Sequence, residues 1–253
     1  MKKSLIFLLS ILLTLTLAGC TGSVSESAQS NEIPAADGSP QGQTDAVNPQ
    51  SQNVSNSYMP GPTAMVQNFN VLNQYPELPT GCEVTSLTMV LNYNNVPADK
   101  CDIADNYLEK GEVGTVDFRV EFVGDPRDED SYGCYAPVLT NAANNYLTAN
   151  GYNLKATDIS GTSFDGLLPY IDKGIPVIIW GTQECQPGQY TTTWNIDGED
   201  ITWYYPEHCM VLLGYSDYQV WVADPMYGEV RDFDRVIFQT RYEELFQQAI
   251  VIQ

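Results

Sequence analysis

Two side chains in this sequence can form a nucleophile and base couple with few rivals. His208 is the single histidine of 253 residues, so imidazole chemistry near neutral pH must run through it. Of the six cysteines, Cys82 stands in Thr80-Gly81-Cys82-Glu83, which has the T-x-x-E spacing of a capping box. In such a box the Thr80 hydroxyl accepts from the amide of residue 83, and Glu83 reaches back to the amide of Thr80. Cys82 is then expected in the first turn of a helix, where unpaired amides and the helix dipole favour a thiolate. Glu83 opposes this with its own charge, so a second cation is needed. His208 opens the apolar run Cys209-Met210-Val211-Leu212-Leu213, and Asp224 closes the run Val220-Trp221-Val222-Ala223. A hairpin centred on Ser216 sets Asp224 directly across from His208 on one sheet face, as an orienting carboxylate. A slip of one residue would set it across from Cys209 instead. A thiol, an imidazole and a carboxylate are the parts of acyl transfer through a thioester.

These side chains need a scaffold. Helices are expected from Thr80 to about Tyr93, from Pro137 to Asn150 with Gly151 past its end, and from about Ser163 to Lys173, stopped by Gly174. A last helix is expected over Asp234 to Gln247. Ile175 to Trp180 is an unbroken apolar run suited to a buried strand. Tyr190 to Tyr204 reads as a hairpin turning at Asp197-Gly198. Cys209 to Tyr215 and Gln219 to Asp224 read as a second hairpin, and Ala249 to Ile252 as a short final strand. Helices come first and strands dominate later, which indicates an α+β fold in one domain.

The beginning of the chain is of a different kind. Residues 1 to 20 combine a basic start, an apolar run from Leu5 to Ala18 and small residues ending at Cys20, the pattern of an export signal. Leu17-Ala18-Gly19-Cys20 resembles the bacterial lipoprotein box, which implies a diacylated Cys20 as the mature N-terminus and a membrane partner through that anchor. Thr21 to about Met65 is Ser, Gln, Asn, Ala, Gly and Pro, with Tyr58 as its one aromatic. It cannot bury a core and is expected to be a disordered tether. Folded sequence is expected from residue 66 or shortly after, near Phe69.

The charge balance excludes other partners. There are 32 acids against 11 bases, a formal charge of −21; Lys2 and Lys3 lie in the leader, so its removal takes this to about −23. A polyanion such as nucleic acid would be repelled. One histidine and no C-x-x-C pair give no zinc spacing, and no cofactor is called for. Asp125, Asp128, Glu129 and Asp130 lack the spacing and central glycine of a calcium loop; they are read as a solvated loop near the cleft. Cys101, Cys134, Cys185 and Cys209 are an even number in an exported chain and allow three pairings, with a packed free thiol as the alternative for Cys209. Trp180 and Trp221 lie in apolar strands and belong to the core. Trp194, Trp203, Tyr204 and Tyr205 sit on the hairpin leading to His208 and are the candidates for substrate binding.

Three separated segments carry a family resemblance. Asn73-Gln74-Tyr75-Pro76-Glu77-Leu78-Pro79-Thr80-Gly81-Cys82-Glu83-Val84-Thr85-Ser86-Leu87, Gly133-Cys134-Tyr135-Ala136-Pro137, and Glu207-His208-Cys209-Met210-Val211-Leu212-Leu213-Gly214-Tyr215 with Ala223-Asp224-Pro225 resemble the C39-like cysteine peptidase family. The resemblance spans roughly residues 66 to 253. It implies a papain-like α+β fold with an N-terminal helical part packed on an antiparallel sheet. It also implies Cys82 as nucleophile, His208 as base and acid, Asp224 as orienter and Gln74 at the oxyanion. The expectation is a monomeric, lipid-anchored enzyme at the bacterial cell surface that cleaves peptide or other amide bonds. The alternatives are acyl transfer by the same triad and a peptide-binding lipoprotein without turnover.

Overall fold

The computed structural model describes residues 61–253; the leader with Cys20 and most of the expected tether lie outside the described residues. In chain order the elements are β1 (Ala64–Met65), α1 (Cys82–Tyr93), α2 (Lys100–Asn106), β2 (Lys110–Gly111), β3 (Phe122–Val123), α3 (Ala136–Ala149) and β4 (Ala156–Asp158). Then follow α4 (Phe164–Asp172), β5 (Val177–Thr182), β6 (Gln189–Ile196), β7 (Glu199–Tyr205), β8 (Glu207–Tyr215), β9 (Gln219–Asp224), β10 (Glu229–Asp234), α5 (Arg235–Glu244) and β11 (Ala249–Ile252). Folding begins a few residues ahead of Phe69, because Ala64 and Met65 already pair with Tyr215 and Gly214 of β8.

The main sheet runs β10-β9-β8-β5-β11-β4, with β1 added to β8. Every pairing in it is antiparallel. With helices packed against that sheet, the chain is an α+β fold. β8 is its central strand, and all its residues from Glu207 to Gly214 are buried. The last strand in sequence, β11, is internal to the sheet between β5 and β4, so the chain terminus completes the core.

α1 is buried along all of Cys82 to Leu91. A helix buried on every side needs neighbours all round, and α1 obtains them from β8, α2 and α3, its polar Glu83, Thr85, Ser86 and Thr88 being buried with the apolar residues. The Ser86 hydroxyl, donating to the Cys209 carbonyl at 3.3 Å, ties the helix to the strand. α4 starts as read: Ser163 is its N-cap, with its hydroxyl accepting from the Gly166 amide, and Gly174 follows its end at a φ of 75°. The β6–β7 hairpin turns at Asp197 and Gly198, both at positive φ, as a two-residue turn of this kind requires.

Two expectations are corrected. The helix expected over Asp234 to Gln247 is present but shorter, Arg235–Glu244, and the strand ahead of it was not anticipated. Strand β10 precedes it, pairing with β9, and Asp234 caps α5 by accepting from the amides of Val236 and Ile237 at 2.9 and 3.0 Å. Exposed, charge-bearing Glu229–Asp234 has too little apolar alternation to declare itself as a strand. The five cysteines among the described residues are all free.

Candidate active site

The site forms where the start of α1 meets the start of β8. The capping box expected at α1 does not form. Gly81 is the N-cap without a side-chain bond, the Thr80 hydroxyl donates instead to the Asp128 carbonyl at 2.9 Å, and Glu83 turns inward. One Glu83 oxygen accepts from the Cys134 amide at 2.7 Å and the other from the Cys82 thiol at 3.3 Å. A buried carboxyl holds such donors more strongly than a solvated cap would, which explains the difference. Cys82 nonetheless occupies the first position of the helix, as expected.

Around the sulfur, the Cys209 amide donates to Cys82 Sγ at 3.4 Å. The thiol is therefore pressed against β8 beside His208. Its pKa is pushed up rather than down: burial acts first, then the neighbouring Glu83 and Glu207 carboxyl groups, while the Cys209 amide works the other way. The helix terminus alone does not make a thiolate here. A cation must supply the rest, and His208 lines the same cavity as Cys82.

His208 is 1% exposed, and its Nε2 lies 2.8 Å from Asp224 Oδ1. A carboxylate only accepts, so Nε2 carries the proton and Nδ1 is left free. The pairing that produces this contact differs from the expected one. Val211 pairs with Ala223 and Leu212 with Val222, and the register shifts again before Gly214. Carried one residue past the Val211–Ala223 pair, this sets Asp224 level with Met210, diagonal to His208 on the same strand face. A diagonal neighbour is within reach of a long side chain such as histidine. The physical reason is the position of the turn: Ser216 donates its amide to the Gln219 carbonyl at 2.8 Å, so the hairpin is centred between Asp217 and Tyr218 rather than on Ser216, and the bulge between Leu212 and Gly214 takes back one residue of that offset.

Asp224 is itself held. Its Oδ1 also accepts from the Met226 amide at 3.0 Å, and Arg231 Nη1 stands 3.7 Å from Oδ2. Arg231 is fixed in turn by Glu184 at 2.6 and 2.9 Å, and Tyr227 donates to the same carboxylate. Those bonds hold the Glu184 carboxyl down to about 2.

Gln74 is 2% exposed and lines the cavity with Cys82 and His208. Its Nε2 donates to the Pro79 carbonyl at 2.7 Å, and its own amide donates to the Pro225 carbonyl at 2.8 Å, one residue past Asp224. The cavity measures about 660 Å³. Trp203 and Tyr205 line it, as expected, with Tyr132, Glu129 and Asp130 from the acidic loop. Trp194 and Tyr204 do not. Trp194 packs on Phe118 and Tyr132 and donates to the Val116 carbonyl at 2.8 Å, while the Tyr204 hydroxyl bonds to Glu244 at 2.9 Å. Residues 203 and 205 share one face of β7, and residue 204 takes the other.

Two participants went unread in the sequence, Glu207 and Arg231, and a third, Glu83, was read as a helix cap where the structure turns it inward. Glu207 is 6% exposed with Oε1 unbonded; its place directly before His208 was the available signal. Arg231 lay in the unread strand β10. No ligand set independent of the nucleophile gathers among the described residues. The one close grouping is Cys82, Glu83 and Glu207, whose donor atoms lie within 4.8 Å of one another. Cys82 and Glu83 bond to each other, and Glu83 also to the Cys134 amide, rather than surrounding a cation.

The sequence profile of the Peptidase_C39 like family matches residues 66–250. The uncharacterized protein YvpB of Bacillus subtilis (strain 168) is 31% identical over 188 residues, covering 70% of this chain and 71% of YvpB. A crystal structure of a candidate C39-like peptidase from Bacillus anthracis is 31% identical, with a TM-score of 0.68, and covers 75% of this chain and 96% of that one.

Proposed function

Since the chain belongs to the C39-like peptidase family, we propose that it is a cysteine hydrolase that cleaves peptide amide bonds through Cys82, His208 and Asp224. The observation that carries this reading is the 2.8 Å contact from His208 Nε2 to Asp224 Oδ1, with Cys82 opening into the same cavity as that imidazole. The contact fixes the tautomer whose Nδ1 is available to a thiol, and a binding module has no need of it.

In the proposed reaction the Cys82 thiol proton passes to His208 Nδ1 and the thiolate attacks the substrate carbonyl carbon. The developing oxyanion accepts from the Cys82 backbone amide and from the second N–H of Gln74, whose first is engaged by Pro79. The imidazolium then protonates the leaving amine. Water, giving a proton to His208, attacks the thioester, releases the acid and restores the thiol. The exposed Tyr205, with Tyr132 and Trp203, forms the aromatic wall for an extended chain. Glu129 and Asp130 at the rim favour a cationic substrate side chain at low ionic strength. In the proposed setting the Cys20 lipid anchor holds the enzyme at the outer face of a bacterial membrane.

The test is incubation of the full chain with a diverse peptide mixture and mass spectrometry of the products. The expected result is a defined set of cleavages that disappears in Cys82→Ala. Identical peptide profiles for the two proteins would reject hydrolysis. Adding a nucleophilic amine and finding conjugated products in place of free acids would assign acyl transfer instead.

A further inference from the structure

Behind the nucleophile lies a pair of groups that the reaction above leaves unused. Glu83 is fully buried and Glu207 nearly so, and one oxygen of each lies within 4.8 Å of the other and of Cys82 Sγ. Among the described residues neither forms an ion pair with Lys or Arg. Two buried carboxylates at this range do not both ionise. Glu83 has two donors, the Cys134 amide and the Cys82 thiol, whereas Glu207 Oε1 has no partner. Glu207 is therefore the one that keeps a proton, and Glu83 carries the charge until a second proton arrives. Gly133 makes the close packing possible: a Cβ there would lie 2.5 Å from Glu83 Oε1 and 3.3 Å from Glu207 Oε2.

We propose that Glu83 is a proton-operated gate on the nucleophile and Glu207 its neutral partner: ionised Glu83 holds Cys82 as S–H, and protonated Glu83 donates its O–H to the thiolate. In the open state the S–H proton moves to His208 Nδ1, the imidazolium keeps its Nε2–H on Asp224, and the proton on Glu83 comes from solvent. Glu83 thus touches the reacting sulfur, and Glu207 is a positioning residue that acts through it. The groups facing the pair are Cys82 from α1, Cys134 and Tyr135 from the turn into α3, and His208 and Cys209 from β8. Of these, His208 alone can become a cation. Burial lifts Glu207 well above the usual carboxyl range, with the Glu83 charge adding to it. Burial also lifts Glu83 to about 7, against the pull of the Cys134 amide, so the gate turns near neutral pH.

The inference rests on the reading of Cys82 as the nucleophile, and its test does not require turnover. The rate at which iodoacetamide alkylates Cys82 in the full chain is followed from pH 5 to 9 by mass spectrometry of the Cys82 peptide. In the wild type the rate is expected to fall by about tenfold as pH rises through neutrality, and to climb again only in alkali. Glu83→Gln is expected to abolish the fall, because its amide donates at every pH. Glu207→Gln, which mimics the neutral partner, is expected to retain it. A wild-type rate that only rises with pH overturns the gate without recourse to any variant, so a misfolded mutant leaves the test intact. A fall that survives in Glu83→Gln also overturns it, and loss of the fall in Glu207→Gln overturns the role given to Glu207. Peptide hydrolysis without the fall would reject the gate alone; the fall without hydrolysis would reject the hydrolase reading and leave the gate standing.

Discussion

Replacing Asp224 tests the orienting contact with graded chemistry. The wild-type bond joins a buried carboxylate to an imidazole that becomes a cation during the reaction. Hydrogen bonds to charged groups contribute about 1.5–3 kcal/mol, and neutral ones about 0.5–1.5 kcal/mol. Asp224→Asn retains an oxygen for Nε2 and for the Met226 amide, and loses the charge. The difference of roughly 1–2 kcal/mol predicts a fall in kcat of about 5- to 30-fold. Asp224→Ala removes the acceptor altogether and leaves the Nε2–H of His208 buried without a partner, at about 2–4 kcal/mol or roughly 30- to 1000-fold. KM is expected to stay within about threefold in both variants, since Asp224 does not line the cavity. The assay is steady-state kinetics on a peptide taken from the product profile, with Cys82 alkylation as a second readout. Equal damage by Asn and Ala would refute a role for the charge; unchanged kcat in Ala would refute the orienting contact itself.

Gln74→Ala is expected to lower kcat by about 10²-fold with little change in KM, the pattern of a lost oxyanion donor, as measured in the same assay. Tyr205→Ala is expected to raise KM while leaving kcat near the wild-type value, and Trp194→Phe to change neither, because only the former lines the cavity. A third expectation concerns stability. A carboxyl whose folded pKa is raised binds its proton more tightly in the folded state, so its contribution is complete below the unfolded value of about 4.5 and is lost as pH climbs through about 7. The Tm of the wild type, followed by calorimetry, should therefore fall between pH 5 and 7.5, with Glu83 contributing roughly 3 kcal/mol of that loss and the raised Glu207 carboxyl adding to it in the same direction, so Glu83→Gln should make the slope shallower without abolishing it.

Much of the scaffold was legible because local chemistry decided it. Ser163 and Gly174 bracket α4, Asp197-Gly198 turns the β6–β7 hairpin, and the apolar run after Gly174 is a buried strand, all from short-range preferences that the core reinforces. β10 was not legible, since a polar edge strand is defined by its partner β9 rather than by its own alternation. Glu83 was misread for a related reason. Its spacing from Thr80 suits a cap, but a cap competes with whatever donors the interior offers, and those arrive from Cys134, 51 residues away.

By itself the amino-acid sequence determined which groups are available: one imidazole, a cysteine at a helix start, an aspartate ending a strand, and a glutamine eight residues before the thiol. Their types limit the chemistry before any folding is considered. Tertiary structure alone decided how they meet: the diagonal from Asp224 to His208 across a bulged register, the removal of Trp194 and Tyr204 from the cavity, and the gathering of Glu83 and Glu207 behind the sulfur. Register and burial are sums over contacts distant in the chain, and ionisation in a dry interior follows those neighbours rather than the residue's own identity.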